Sequence, residues 1–147
     1  MESVYEMVKK FKKRHRGGVS WRIRKHAKVI ENHINPGEKV LYAFPAQQND
    51  SFFDIFATCI VALTTKRLIF AKKRVIWGYY FGSVTPDLYN DLQVYQGLIW
   101  GRVKIDTVKE EIVLSNLPKR SLNEIETNIS EFMMKEKQKY KKMGEER

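Results

Sequence analysis

The chain has 147 residues, 43% of them hydrophobic, enough for one ordinary domain that buries roughly 70% of its unfolded surface and too few for a second. Its 27 Lys and Arg against 17 Asp and Glu give a formal charge of +10, which suits anionic partners. A single cysteine, Cys59, excludes an internal disulfide framework and any multi-cysteine metal site and fits a reducing compartment. The expected location is therefore cytoplasmic, with peripheral attachment at the inner membrane face as an option. The longest apolar run, Phe52 to Leu63 with Asp54 inside it, falls short of the roughly 20 residues that span a bilayer, and no secretory signal is readable.

The charge is unevenly placed. Residues 1–33 hold ten basic against three acidic side chains, residues 34–118 hold nine against eight, and residues 119–147 hold eight against six. The near-neutral middle carries 13 of the 18 aromatic residues, as expected of a packed β core. The expected division is a basic helical extension (1–33), a central domain (34–134) and a charged helical tail (135–147).

Val4, Met7, Val8 and Phe11 recur at i, i+3, i+4 and i+7, one apolar stripe of a helix whose other faces carry lysines. Gly17-Gly18 ends it, Ser20 is the expected N-cap of a second helix marked by Ile23, Ala27 and Ile30, and Asn35-Pro36-Gly37 stops that one. The period then becomes two. Strands are expected near 38–44 (ended by Pro45), 56–63 (buried on both faces), 68–72, 75–84 (with neighbours on both faces), 92–95, 99–106 (Ile99, Val103 and Ile105 inward) and 112–114. Seven short strands with no helix between them predict a mainly β, antiparallel sandwich or partly open barrel. Ser121 and Glu124 read as a capping box ahead of a long helix with Leu122, Ile125, Ile129, Phe132 and Met133 on one stripe, and Lys135, Lys137, Lys139, Lys141 and Lys142 as a solvated end.

Three stretches carry a resemblance: Pro36 to Leu41, Ala62 to Phe70 (ALTTKRLIF), and residues 97–118 leading into the last helix. Together they resemble the small bacterial PH-domain group often labelled YokE-like, over about residues 34–134. The resemblance implies a PH-like seven-stranded sandwich or partly open barrel capped by the C-terminal helix, noncatalytic, with ligands largely undefined. Phosphoinositide-binding PH domains set Lys and Arg around the loop joining strands one and two. Here that loop, Gln47 to Ser51, has no base and one acid, and offers phosphate no charge-assisted bond.

No nucleophile with its base, carboxylate pair, metal cluster or phosphate loop is readable, so the expectation is a protein that is not an enzyme and has no cofactor. His26 and His33 share a helical face without a carboxylate partner and read as surface histidines rather than zinc ligands. Cys59 reads as a core residue, Asp87 and Asp91 as turn and capping residues around Pro86, and Gly78 and Gly82 as sites of bulging or close strand packing.

The stronger signal is the basic extension: Lys9, Lys10, Lys12, Lys13, Arg14 and Arg16, continued by Arg22, Arg24, Lys25 and Lys28, as candidate contacts to an anionic surface. Near an anionic bilayer each is worth about 1 kcal/mol, which gives weak, reversible attachment unless burial of the Val4 stripe adds to it. The readings are an interaction module for a partner protein or anionic membrane surface, and alternatively nonspecific nucleic-acid binding through the same helices. Against both, the stripe docks on the sandwich and the lysines are an ordinary solvated face. Lys66-Arg67 and Lys72-Lys73-Arg74 fall at opposite ends of one strand and read as structural. Trp77, Tyr79, Tyr80 and Trp100 leave self-association open.

Overall fold

The computed structural model describes residues 2–48 and 57–145. Two helices, α1 (Val4–Arg14) and α2 (Ile23–Glu31), precede strands β1 (Val40–Gln47), β2 (Thr58–Thr64), β3 (Leu68–Lys73), β4 (Tyr79–Val84), β5 (Tyr89–Gln96), β6 (Trp100–Thr107) and β7 (Glu111–Pro118), and helix α3 (Leu122–Glu145) closes the chain. The strands form one antiparallel sheet in the order β4-β3-β2-β1-β7-β6-β5, a mainly β half-barrel with flanking helices. Its two halves meet where β1 and β7 pair at Gln47 and Ser115.

Alternation explains why β1 to β3 are buried on both faces. Tyr42, Phe44, Ala46, Cys59, Val61, Leu68 and Phe70 turn into the curled interior, which Leu122, Ile125, Ile129 and Met133 of α3 fill. Ala43, Ile60, Ala62, Ile69 and Ala71 turn outward, against Val4 and Val8 of α1 and Ile23, Ala27 and Ile30 of α2. The small outward residues let the two helices approach closely. Phe11 belongs to the inner cluster, against Tyr42 and Phe44 at ring-centroid distances of 6.2 and 5.6 Å.

Several boundaries differ from the sequence expectation. Pro45 does not end β1; it pairs with Ile60 inside the strand, and beside the sparse β1–β7 seam a residue without an N–H is tolerated. Phe56 and most of the loop after Gln48 lie outside the described residues. The strand expected over 75–84 begins only at Tyr79; Arg74 N–H donates to the Gly78 carbonyl at 3.1 Å, closing a turn that leaves Val75, Ile76 and Trp77 exposed. Ile99 is not inward but exposed in the β5–β6 turn, whereas Val103 and Ile105 are buried as expected. Strands β5 and β7 outrun the expected 92–95 and 112–114, and Asp91 lies in β5 rather than a loop.

The helix caps also move. Ser20 is not the cap of α2: Arg22, in the left-handed region at φ 53°, holds that position without a side-chain bond. A capping box forms instead at Ser3 and Glu6 of α1, where Ser3 Oγ accepts from Glu6 N at 3.1 Å and Glu6 Oε2 accepts from Ser3 N at 3.3 Å. The box expected at Ser121 and Glu124 is replaced: Ser121 Oγ donates to the Pro118 carbonyl at 2.7 Å, and Glu124 turns toward α1. Gly101 is the seat of α3, since a Cβ there would meet Leu122 side-chain carbons at 2.6 Å.

Candidate anionic-surface site

The apolar stripe of α1 is committed to the protein. Val4, Val8 and Phe11 are buried against the sheet, so they are not free to enter a bilayer, and what α1 and α2 present outward is charge. Lys9, Lys10, Lys13, Arg14, Arg16, Arg24, Lys25 and Lys28 are exposed, while Lys12 and Arg22 are half-buried.

These cations divide by their partners. Lys10 pairs with Glu2 at 2.5 Å. Arg14 pairs with Glu124, its Nε at 3.0 Å. Lys12 Nζ donates to the carbonyls of Gly17 and Val19 at 3.1 and 3.0 Å, tying down the linker after α1, and burial pulls its pKa down. Lys9, Lys13, Arg22, Arg24, Lys25 and Lys28, with Lys12 beside them, line two adjoining clefts on the outer side of the helices. One, of about 700 Å³, runs between α1 and α2 with Lys9, Lys12, Lys13, Arg22, Arg24 and Lys25 around Tyr5. The other, of about 480 Å³, continues past Lys25 and Lys28 to Lys73 and Tyr79 on the sheet. Arg22, Arg24 and Lys25 line both, so the surface is continuous, and among the described residues no Asp or Glu lines either cleft.

Local packing spreads these charges. Lys9 and Arg24 stand over the Tyr5 ring at 4.7 and 4.9 Å, one from each helix, and the ring's negative face draws both. Arg22 covers Trp21 at 5.2 Å. Arg14 and Arg16 line a third cleft of about 490 Å³ with Ile99, Trp100, Lys119 and Arg120 near the start of α3, which Lys13 joins to the first. Seven of the ten candidates line the two outer clefts, Arg14 and Arg16 line the third, and Lys10 lines none of them.

The residues weighed for chemistry have structural partners. His26 is fully buried, not a surface histidine; its Nδ1 accepts the Lys73 N–H at 2.8 Å. Burial, reinforced by the charges of Arg22 and Lys72 and opposed by the Trp21 backbone, lowers its pKa to about 4. His33 lies 2.7 Å from the Val29 carbonyl and 2.9 Å from Tyr79 Oη. Cys59 is buried, which pushes its thiol up to about 12 and keeps it protonated, against the nearby charge of Lys72. Among the described residues no cluster of His, Cys, Asp or Glu is placed to hold a metal, and no helix is long and apolar enough to cross a membrane. Lys66 and Arg67 flank one end of β3 and Lys72 to Arg74 the other, and Arg67 is engaged by Glu38.

A seven-stranded antiparallel half-barrel closed by a C-terminal helix is the arrangement of the PH domain, and a family model described as bacterial PH domain matches residues 34–131. The chain belongs to the bacterial PH domain family. A solved pleckstrin homology domain from Shewanella amazonensis SB2B is similar in fold, with a TM-score of 0.54 and 16% identity over 74% of this chain and 95% of that one. A DUF1696 family protein with a pleckstrin-homology domain from Shewanella loihica PV-4 aligns over 82% of this chain and 95% of that one at 14% identity and a TM-score of 0.49. No curated protein matches the chain.

PH domains are in general noncatalytic interaction modules. In this bacterial PH domain the basic face is assembled mostly from α1 and α2, which precede the matched residues, with Lys73 the contribution of the sheet. Reading the Lys72-Lys73-Arg74 run as structural leaves Lys73 off this face; only the fold, which brings the end of β3 beside α2, places it there. His26 on α2 accepts the Lys73 N–H at 2.8 Å and fixes that approach.

Proposed function

We infer that this bacterial PH domain binds reversibly to anionic membrane surfaces through the outer face of α1 and α2, with Lys9, Lys13, Arg24, Lys25, Lys28 and Lys73 as the principal contacts. The observation that carries this reading is the continuous pair of clefts lined by cations from three elements with no acidic residue among the described lining. An ordinary solvated face mixes signs, and the α3 surface does: Lys139 pairs with Glu136 at 3.0 Å. With the apolar stripe of α1 buried in the protein, attachment here is electrostatic. Five exposed cations on α1 and α2 at about 1 kcal/mol each supply roughly 5 kcal/mol at most, screened over a Debye length of about 8 Å. Binding of that strength is reversible and falls with salt.

What favours a bilayer over a nucleic acid is the border of the face. Lys73 leads directly into the exposed Val75, Ile76 and Trp77, which have no use against phosphates in a groove but suit the interface of a membrane. Cosedimentation with phosphatidylglycerol vesicles and with neutral phosphatidylcholine vesicles tests the reading. Pelleting with the first alone, lost on raising salt, is the expected result; equal pelleting with both, or a nucleic acid competing it off completely, contradicts it.

A further inference from the structure

The β3–β4 turn exposes three consecutive large apolar side chains. Val75, Ile76 and Trp77 are 54%, 84% and 78% exposed, and the turn that presents them is held by the Arg74 to Gly78 hydrogen bond, with Gly78 at φ +74° where a side chain would be strained. A run of this kind at a hairpin tip is a liability in a monomer unless something covers it. Its root is cationic: Lys72, Lys73 and Arg74 precede it, and Val75 lines a cleft with those three residues and Trp21. Lys73 also lines the basic face of α2, so tip and face lie side by side.

Resting on the membrane reading above, we propose that the β3–β4 tip is an insertion wedge, with Ile76 and Trp77 entering the headgroup and acyl boundary of an anionic bilayer while Lys72, Lys73 and Arg74 engage the lipid phosphates. The order of residues fits that occupant. Apolar side chains at the apex are followed outward by cations at the root, the sequence of environments that a bilayer presents with depth, and tryptophan favours the boundary between them. A second copy meeting it tip to tip would bring like charges together, since the cations at its root would face their own counterparts. The other exposed apolar tip, Leu98 and Ile99 in the β5–β6 turn, lies at the opposite end of the sheet, because β3 runs toward the end at which β1 terminates while β6 starts beside the end of the antiparallel β7. Ile99 of that turn shares a cleft with Lys13 at the far end of α1, so a molecule anchored at its β3–β4 tip sets Leu98 shallower than Ile76.

The buried, protonated Cys59 makes the test direct, because a thiol placed at the surface is labelled selectively. Full-length Ile76→Cys and Leu98→Cys are each labelled with an environment-sensitive nitrobenzoxadiazole and mixed with vesicles of equal phosphatidylglycerol and phosphatidylcholine. The expected result is a blue shift and doxyl-lipid quenching that are strong at position 76 and far weaker at 98. In a parallel arm, Ile76→Asp, at a site where the folded protein loses no contact, lowers vesicle partitioning about ten-fold with an unchanged melting curve. Cosedimentation with no spectral change at 76 overturns the wedge and leaves the electrostatic surface reading standing. Equal shifts at 76 and 98 overturn it as adsorption of unfolded chain, and a concentration-dependent shift at 76 without vesicles overturns it in favour of self-association. Failure to pellet with either vesicle removes both readings.

Discussion

Arg14 in the last turn of α1 grips Glu124 in the first turn of α3 with two hydrogen bonds, Nε to Oε1 at 3.0 Å and an amino nitrogen to Oε2 at 3.2 Å, across 110 residues of sequence. Tyr42 of β1 donates its hydroxyl to the same carboxylate at 2.7 Å, and His15 Nε2 lies 3.3 Å away. The basic extension is thereby fastened to the helix that plugs the half-barrel, and Gly17 and Gly18 carry the chain closely past Trp100 and Pro118 on its way to α2.

Glu124→Ala is expected to lower unfolding stability by about 1–3 kcal/mol, chiefly because the buried Tyr42 hydroxyl loses its acceptor. Partial burial raises the Glu124 pKa, but the bonds from Arg14, Tyr42 and His15 outweigh it and hold the carboxyl below the usual range. Its contribution is therefore complete above the unfolded pKa and disappears as pH falls through the folded value. Urea titration at neutral pH checks the first statement; a variant as stable as the parent would refute it.

Glu38 is buried and held by Arg67, whose Nε donates to Oε2 at 3.0 Å, by Thr64 Oγ1 at 2.5 Å and by the Asn35 N–H at 3.1 Å. Burial alone would raise its pKa, and the bonds from Arg67, Thr64 and Asn35 reverse the sign. Arg67→Met leaves the charge buried without its cation and is expected to cost about 3–5 kcal/mol at pH 7. In the variant the bonds from Thr64 and Asn35 remain but the lowering by Arg67 is gone, so the folded pKa rises and the deficit shrinks as pH is lowered through it. A deficit that stays constant between pH 7 and 5 contradicts this assignment.

His26 sets a separate window. Its folded pKa of about 4 lies below the ordinary 6.5, so the unfolded chain takes up a proton that the folded one refuses. Stability is complete above 6.5 and falls as pH drops toward 4, by as much as about 3 kcal/mol from this group alone. Imidazole resonances followed by NMR from pH 7.5 to 4.5 should show His26 still neutral at pH 5.5; an ordinary midpoint would mean that the ring is open to water.

A chain beginning at Ile34 should not behave as an independent domain. Removing α1 and α2 uncovers Ala43, Ile60, Ala62, Ile69 and Ala71 on one face of the sheet and leaves Tyr42 and Phe44 without Phe11. We expect it to aggregate or to melt far below the full chain in calorimetry. A soluble, cooperatively folded truncation would show that the helices are accessories, and charge substitution on the full chain is accordingly the sounder probe of the basic face.

The parts of this fold legible in the sequence are those set by periodicity. The stripes of α1, α2 and α3 and the alternation of β6 name most of their own buried residues; Met7 and Phe132 are only partly buried, and a hairpin turn exposes Ile99. The errors arise where tertiary partners override local rules. Pro45 continues a strand because its neighbour across the seam is sparse, and Glu124 forgoes its expected cap for Arg14 and Tyr42, distant residues that no local pattern joins to it. Likewise the charge run announced a basic surface, but its division into an outer face and isolated ion pairs depends on where Glu2, Glu124 and Lys73 arrive.

The most direct test of surface binding is to map the face that meets the bilayer, using amide resonances of the full-length protein on phosphatidylglycerol nanodiscs doped with a gadolinium lipid. Binding through the outer face predicts broadening in α1 and α2 around Lys9, Arg24, Lys25 and Lys28 and in the β3–β4 turn, with the lysine-rich end of α3 left sharp. Broadening centred on Lys135 to Lys142, or on Leu98, with α2 unaffected, would contradict it.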